Sequence, residues 1–245
     1  MYNISEITNK ILCGDAIFEL KKLPSDSIDC VITSPPYNKG FYGKHTPSKH
    51  DVWKQRNIEY GDFKDDLDPE QYIKQQTEVL TELVRIIKPA GSIFYNHKLQ
   101  VSNHRAIFPE YIFKFNLRQI IIWDRGSTPQ LAPIRFLPTT EYVFWITKTN
   151  IQPKFYRRGQ FDKDVWRIPP KPMLEHPAPF PEELVNQCVL STTDENDLVV
   201  DCFAGSGTVG VVAKRSKRNY ILIELNPKYI EIAQKRISEI PKPLL

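Results

Sequence analysis

Short apolar runs closed by polar or turn-forming residues recur along the chain. Lys10-Ile11-Leu12-Cys13, Ile28 to Ile32, Ser92-Ile93-Phe94-Tyr95, Leu117 to Asp124, Glu141 to Lys148, Leu198-Val199-Val200 and Tyr220-Ile221-Leu222-Ile223 each have the length and β-branched content of a buried strand. Helical patterns lie between them. Gly14-Asp15-Ala16 turns into a helix over Ile17 to Leu23, with Asp15 as a good N-cap. Asp68-Pro69 opens a longer helix, in which Tyr72, Ile73, Val79, Leu80, Leu83, Val84 and Ile87 fall near helical spacing until Lys88-Pro89-Ala90-Gly91 ends it. Further helices are expected over Asn103 to Phe113 (interrupted by Pro109), from Glu182, and from Lys228 to Ile237 behind Asn226-Pro227. The Lys214–Arg218 basic cluster reads as a helix end, where cations suit the dipole. Strands alternating with helices predict an α/β domain.

The pattern is lost in three places. From Asn38 to Asp66 glycines, histidines and lysines replace it, and so long a loop in a compact domain is usually functional or disordered. Its position predicts a lid. Gly126 to Pro138 is a stiff, proline-rich loop. From Lys154 to Lys171 six basic residues (Lys154, Arg157, Arg158, Lys163, Arg167, Lys171) face two acids, with Phe155, Tyr156, Phe161 and Trp166 interleaved.

Two stretches carry candidate chemistry. After the strand Ile28 to Ile32 comes Thr33-Ser34-Pro35-Pro36-Tyr37. Neither proline donates an N–H, and each holds the preceding residue extended, so the turn is stiff and leaves carbonyl oxygens free to accept. With Tyr37 beside it, such a turn can hold a planar group bearing an exocyclic amine. Alone it reads equally well as a strand closed by a Pro-Pro turn, with Tyr37 packed inward. The second stretch, Leu198 to Gly210, reads as strand, glycine turn and helix start, with Gly205 and Gly207 free to take positive φ. Glu224 ends the next strand at the spacing where a Rossmann-type site sets an acid on a ribose diol. A third glycine at dinucleotide spacing is missing, and no Gly-Lys-Ser/Thr follows, so neither a dinucleotide fingerprint nor a Walker loop is present.

Taken together, these motifs resemble the amino-group DNA methyltransferases, from about Ile11 to Ile237. Ser34-Pro35-Pro36-Tyr37 is similar to that family's catalytic motif, and Asp201-Cys202-Phe203-Ala204-Gly205-Ser206-Gly207 to its cofactor motif. The catalytic motif comes first here, which is the permuted order of the family's β group. The resemblance implies a Rossmann-like, seven-stranded mixed sheet, circularly permuted, with small inserted DNA-recognition loops, as one domain over 1–245. It implies S-adenosylmethionine as cofactor, bound by Asp15, Asp201, Phe203, Ala204, Gly205, Ser206, Gly207, Glu224, Leu225 and Asn226. His176 to Pro181 resembles the segment that closes over the methionine end, and Trp123 and its neighbours the target-base pocket.

The implied reaction is direct methyl transfer to an exocyclic amine of a base flipped from the duplex, with Tyr37 stacked on it. A carbonyl at Pro35 and the Ser34 oxygen would take up charge developing on the amine, which is transition-state stabilisation. Ser-Pro-Pro-Tyr is typical of the family's cytosine-N4 enzymes, and Asp or Asn in the first place of its adenine-N6 enzymes, so N4 of cytosine is the expected target and N6 of adenine the alternative. An inactive nucleic-acid-binding relic is the alternative of another class. Carbon-5 methylation needs a cysteine nucleophile, and no Pro-Cys pair occurs. A protein-glutamine methyltransferase would carry its cofactor motif first.

DNA recognition is expected over 150–172, through Lys154, Arg157, Arg158, Arg167 and Trp166, since basic residues neutralise phosphates and Arg reads guanine edges. The candidate lid at 38–66 lies beside it in function. So short a recognition segment gives one chain a small footprint, which brings in a homodimer; a cognate restriction endonuclease is the other protein partner considered. Composition adds little. The net charge of +4 suits a polyanion without demanding one, and the four cysteines (Cys13, Cys30, Cys188, Cys202) show neither CxxC nor His-Cys spacing, so reduced thiols and no metal are expected. Neither a signal peptide nor an apolar run of membrane-spanning length is seen, and a cytoplasmic, prokaryotic protein is expected.

Overall fold

The computed structural model describes residues 1–38, 65–102, 105–128, 135–170 and 180–241. The centre of the candidate lid, residues 39–64, lies outside these, as do His176 to Pro179 and Lys171.

The apolar runs form one eight-stranded sheet. In chain order the elements are α1 (Ile4–Ile7), β1 (Lys10–Cys13), α2 (Ala16–Lys22), β2 (Ile28–Thr33), α3 (Pro69–Ile86), β3 (Ile87–His97), β4 (Gln100–Ser102) and β5 (Arg105–Ile107). A 3-10 turn (Glu110–Lys114) follows, then β6 (Leu117–Asp124), β7 (Thr140–Thr147), β8 (Val165–Arg167), α4 (Glu182–Thr192), β9 (Leu198–Asp201), α5 (Thr208–Arg215), β10 (Asn219–Glu224) and α6 (Pro227–Ser238). The strand order is β1-β10-β9-β2-β3-β7-β6-β8, and β4 and β5 make a separate hairpin. The first five strands of that order run parallel, β7 is antiparallel to both β3 and β6, and β8 is parallel to β6.

Two expectations are corrected. The sheet has eight strands rather than seven, because Val165-Trp166-Arg167 adds to the edge of β6, with only the middle residue, Trp166, turned inward. The helix expected over Asn103 to Phe113 is instead β5 and the 3-10 turn, since Pro109 cannot continue an α-helix and stands as the cap of the turn.

The sheet is buried on both faces, which is why its parallel strands read as continuous apolar runs. Side chains along β2, whose register shifts between Ile28 and Cys30, show the division. Ile28 and Val31 enter one core with Leu20, Leu80, Leu83 and Ile93, under α2 and α3. Cys30 and Ile32 enter the other with Leu184, Val189, Val209 and Leu222, under α4 and α5. In a parallel sheet so covered, loops at the carboxyl ends of the strands are left to build a site, at the point where the strand order reverses. Here that point lies between β9 and β2.

Candidate active site

Both chemical turns emerge at this point, from neighbouring strands. Register pairs Cys30 with Val199 and Val31 with Val200, so β2 delivers Ser34 beside the turn after β9. The two are tied by Thr33, whose hydroxyl donates to Asp201 Oδ1 at 2.7 Å. The same oxygen accepts from the Phe203 amide at 3.1 Å. Asp201 is buried, and that burial pushes its carboxyl up to about 7. It lies beneath the glycine turn and braces it.

In the turn itself Gly205 (φ 50°) and Gly207 (φ 76°) are left-handed. A Cβ on Gly207 would stand 2.6 Å from the Ala233 Cβ, so the close approach of α6 also requires glycine there. Gly207 starts α5 without a side-chain cap, so the first amides of α5 face the carboxyl edge with no cap to satisfy them. Arg236 holds the turn from behind, donating to the Ser206 carbonyl at 2.7 Å. Glu224 ends β10 with Oε2 accepting from the Gly205 amide (2.7 Å) and Oε1 from the Asn226 amide (2.8 Å). Burial raises its carboxyl, and the backbone amides oppose that rise. An ionised carboxylate has about four acceptor positions, so capacity remains for a hydroxyl-bearing ligand. Asp15 caps α2 through Oδ1, accepting from Ile17 (2.9 Å) and Phe18 (3.1 Å). Asn226 likewise caps α6, accepting from the Lys228 amide at 3.0 Å, while Leu225 is partly exposed. Phe203 and Ala204 complete the turn; the Ala204 amide donates to the Ile223 carbonyl at 3.0 Å.

The Ser34 turn is held by residues that no motif announces. The Pro36 carbonyl lies 2.9 Å from the Tyr72 hydroxyl, and the Tyr37 carbonyl accepts from Gln100 Nε2 (2.9 Å). His97 lies 2.9 Å from the same Tyr72 hydroxyl through Nε2, and its Nδ1 donates to the Lys98 carbonyl. Burial pushes His97 down to about 4, so it is neutral and structural. Tyr37 is only 9% exposed, its ring centroid 4.9 Å from that of His97. Its hydroxyl is 2.7 Å from Ser34 Oγ, accepts from Asn96 Nδ2 (2.6 Å) and donates to Glu141 Oε2 (3.2 Å). Asn96 Nδ2 also donates to Glu141 Oε2 (2.8 Å), and Arg125 pairs with Glu141 Oε1 (2.8 Å). Among the described residues Asn96 Oδ1 and Arg125 Nε are buried without a hydrogen-bond partner. Sequence reading missed Asn96, Glu141 and Arg125. The one signal was polar residues at the ends of apolar strands.

The expected DNA-contacting residues separate. Arg167 is at the carboxyl end of β8, beside Asp124, with its side chain 84% exposed on the same edge as Ser34. Trp166 is buried, its ring N–H donating to the Lys163 carbonyl, so it is core rather than a reading surface. Lys154 pairs with Asp197 (2.7 Å), and Arg158 pairs with Asp194 (3.1 Å) and covers the Tyr156 ring. Those acids precede β9, which places Lys154, Arg157 and Arg158 at the amino edge of the sheet, opposite the site. Trp123 packs inward, donating to the Ile168 carbonyl at 2.8 Å.

Comparison with known proteins agrees with this geometry. Residues 28–235 match the sequence profile of the N6/N4 family described as DNA methylase. The type II methyltransferase M.HinfI of Haemophilus influenzae is 30% identical over 98% of this chain and 72% of its own length. The DNA adenine methyltransferase YhdJ of Escherichia coli is 27% identical, over 93% of this chain and 82% of its own length. Among solved structures, the cytosine-N4-specific PvuII DNA methyltransferase superposes with a TM-score of 0.72 at 23% identity, covering 96% of this chain and 88% of its own. A DNA modification methylase of Thermus thermophilus, complexed with S-adenosyl-L-methionine, superposes with a TM-score of 0.67 at 24% identity, covering 94% of each chain. The chain belongs to the DNA methylase family that methylates the exocyclic N4 or N6 amines of bases. Its methyl donor is S-adenosylmethionine.

Proposed function

We propose that this DNA methyltransferase acts on the N4 amine of cytosine within a specific sequence, with the base flipped out to the carboxyl edge of the sheet. The carrying observation is a neutral hydroxyl, Ser34 Oγ, held at the mouth of the β2 turn by the Tyr37 phenol. In the family, serine in this position accompanies cytosine, and aspartate or asparagine adenine. The N4 lone pair is delocalised into the ring, and becomes available only as the nitrogen turns tetrahedral. A hydroxyl accepting an amine N–H favours that geometry and the positive charge that develops with it. Bound S-adenosylmethionine supplies an electrophilic methyl on sulfonium. Glu224 would hold its ribose diol, Asp15 its adenine amine, and the Gly205-Ser206-Gly207 turn, with the open amides of α5, its polar end. Thr33, bonded to Asp201, fixes the distance between the two turns and so orients acceptor against donor.

DNA would approach from this edge, against Arg167. Lys154 and Arg158 serve the fold. In that reading the chain carries the permuted motif order of the β group.

The test is methylation of mixed-sequence DNA by the purified protein, followed by digestion to nucleosides and mass spectrometry. N4-methylcytosine is expected. N6-methyladenine would overturn the use of Ser34 to choose the base, and no methylated nucleoside would overturn the activity.

A further inference from the structure

Methylating an amine that carries two hydrogens leaves a positive nitrogen, and one proton must depart. We infer that this proton is delivered to the Glu141 carboxylate through the hydroxyls of Ser34 and Tyr37, a role resting on the function proposed above.

The hydrogen bonds fix the direction of the path. Asn96 Nδ2 is 2.8 Å from Glu141 Oε2, and two acceptor oxygens do not face each other at that distance, so the amide must present its N–H groups to Glu141 and to the Tyr37 oxygen. Burial and the charge of Glu141 push the Tyr37 phenol well above its ordinary value, so it keeps its proton. That proton points to Glu141 Oε2. The Tyr37 oxygen is then an acceptor toward both Asn96 and Ser34, and the Ser34 hydroxyl, 2.7 Å away, must be the donor between them. With its hydrogen directed inward, Ser34 Oγ has its lone pairs left for an amine N–H.

Every member is therefore set to pass a proton inward. The amine N–H bond breaks as the proton goes to Ser34 Oγ. The Ser34 proton moves to the Tyr37 oxygen, and the Tyr37 proton to Glu141 Oε2. Ser34 and Tyr37 end unchanged, the methylated amine is neutral, and Glu141 is a carboxylic acid. Driving force is ample: losing the proton restores the nitrogen lone pair to the ring, which makes the cationic amine a far stronger acid than a carboxylic acid. The ion pair with Arg125 therefore does not prevent transfer. Glu141 does not touch the base in this scheme and is a positioning and proton-accepting residue behind the catalytic Ser34. The groups facing it are Arg125 from the end of β6, Tyr37 from the turn after β2, and Asn96 and His97 from β3.

The experiment is single-turnover methylation at one pH, with product identified by mass spectrometry, for wild type, Glu141→Gln, Glu141→Asp, Tyr37→Phe and the Glu141→Gln/Tyr37→Phe double variant. A positioned proton acceptor typically contributes about 10²–10⁴-fold, so Glu141→Gln and Tyr37→Phe are each expected to lose at least about 100-fold. Glu141→Asp keeps a carboxylate and should recover about tenfold or more of the rate lost in Glu141→Gln. Because the groups act in series, the double variant should fall no further than the slower single variant. Independent multiplication of the two losses, or a Glu141→Asp variant no faster than Glu141→Gln, overturns the relay. Should Glu141→Gln fail to fold, Tyr37→Phe decides, and turnover at the wild-type rate in that variant overturns the relay. Failure of wild type to methylate any base would instead strike the proposed function.

Discussion

Replacing Asp201 by asparagine asks whether the carboxylate beneath the glycine turn is kept neutral by its burial. The folded protein holds this carboxyl at about 7 against an ordinary 3.8. Between those values the folded state retains a proton that the unfolded state has released. Stability from this group is therefore full below pH 3.8 and is lost as pH rises through 7. The whole span is worth about 4 kcal/mol, of which about 2 kcal/mol falls between pH 5 and pH 7. The amide in the Asp201→Asn variant would retain an Oδ1 acceptor for Thr33 and Phe203 and has no charge to desolvate. Urea titrations of the cofactor-free protein at pH 5, 6, 7 and 8, wild type against Asp201→Asn, isolate this contribution, since other titrating groups cancel in the difference. Wild type should lose about 2 kcal/mol relative to the variant from pH 5 to 7, a midpoint shift of roughly 0.7–1 M for a domain this large. A difference constant across the range would refute the reasoning. One that moved in favour of wild type with rising pH would mean the carboxylate is held as an anion.

Three further outcomes are expected. Glu224→Ala should raise the cofactor dissociation constant in calorimetry by about 100-fold, because bonds to a charged acceptor are worth about 1.5–3 kcal/mol each and its ribose contacts are lost; an unaltered constant refutes the diol assignment. Gly207→Ala should destabilise the fold by about 2–4 kcal/mol in chemical denaturation, combining a left-handed φ with a Cβ 2.6 Å from that of Ala233; a loss below about 1 kcal/mol would mean the turn relaxes freely. Arg167→Ala should weaken DNA binding several-fold and reduce its salt slope by about 1, whereas Arg158→Ala should leave both unchanged; the reverse result would put DNA at the amino edge.

Most strands were legible because each carries a short apolar run, and the parallel part of the sheet, covered on both faces, imposes no alternation to obscure it. The two chemical turns were legible because glycine and proline punctuate them. Glu141 and Asn96 were not, since their meaning comes from β7 lying beside β3, an adjacency that no local pattern encodes. Charge was misleading for the same reason. Lys154 and Arg158 look like a polyanion surface until Asp194 and Asp197, some forty residues later, are seen to neutralise them. The three-residue β8 was too short to show a period, and its burial of Trp166 follows only from pairing with β6.

The strand order has a consequence for synthesis. β9 lies between β2 and β10, and among the described residues β1 pairs only with β10, so the middle of the sheet is closed by strands made long after its first two. Until β9 and β10 have been made, β2 and β1 each have an open edge, and the glycine turn after β9 does not exist. Sheet closure waits for translation to pass Glu224, and such late, long-range pairing is slow and exposed to aggregation. Thr33 and Asp201 join β2 to β9 across 168 positions. A product truncated before β10 lacks the strand that joins β1 to the sheet and is expected to be inactive.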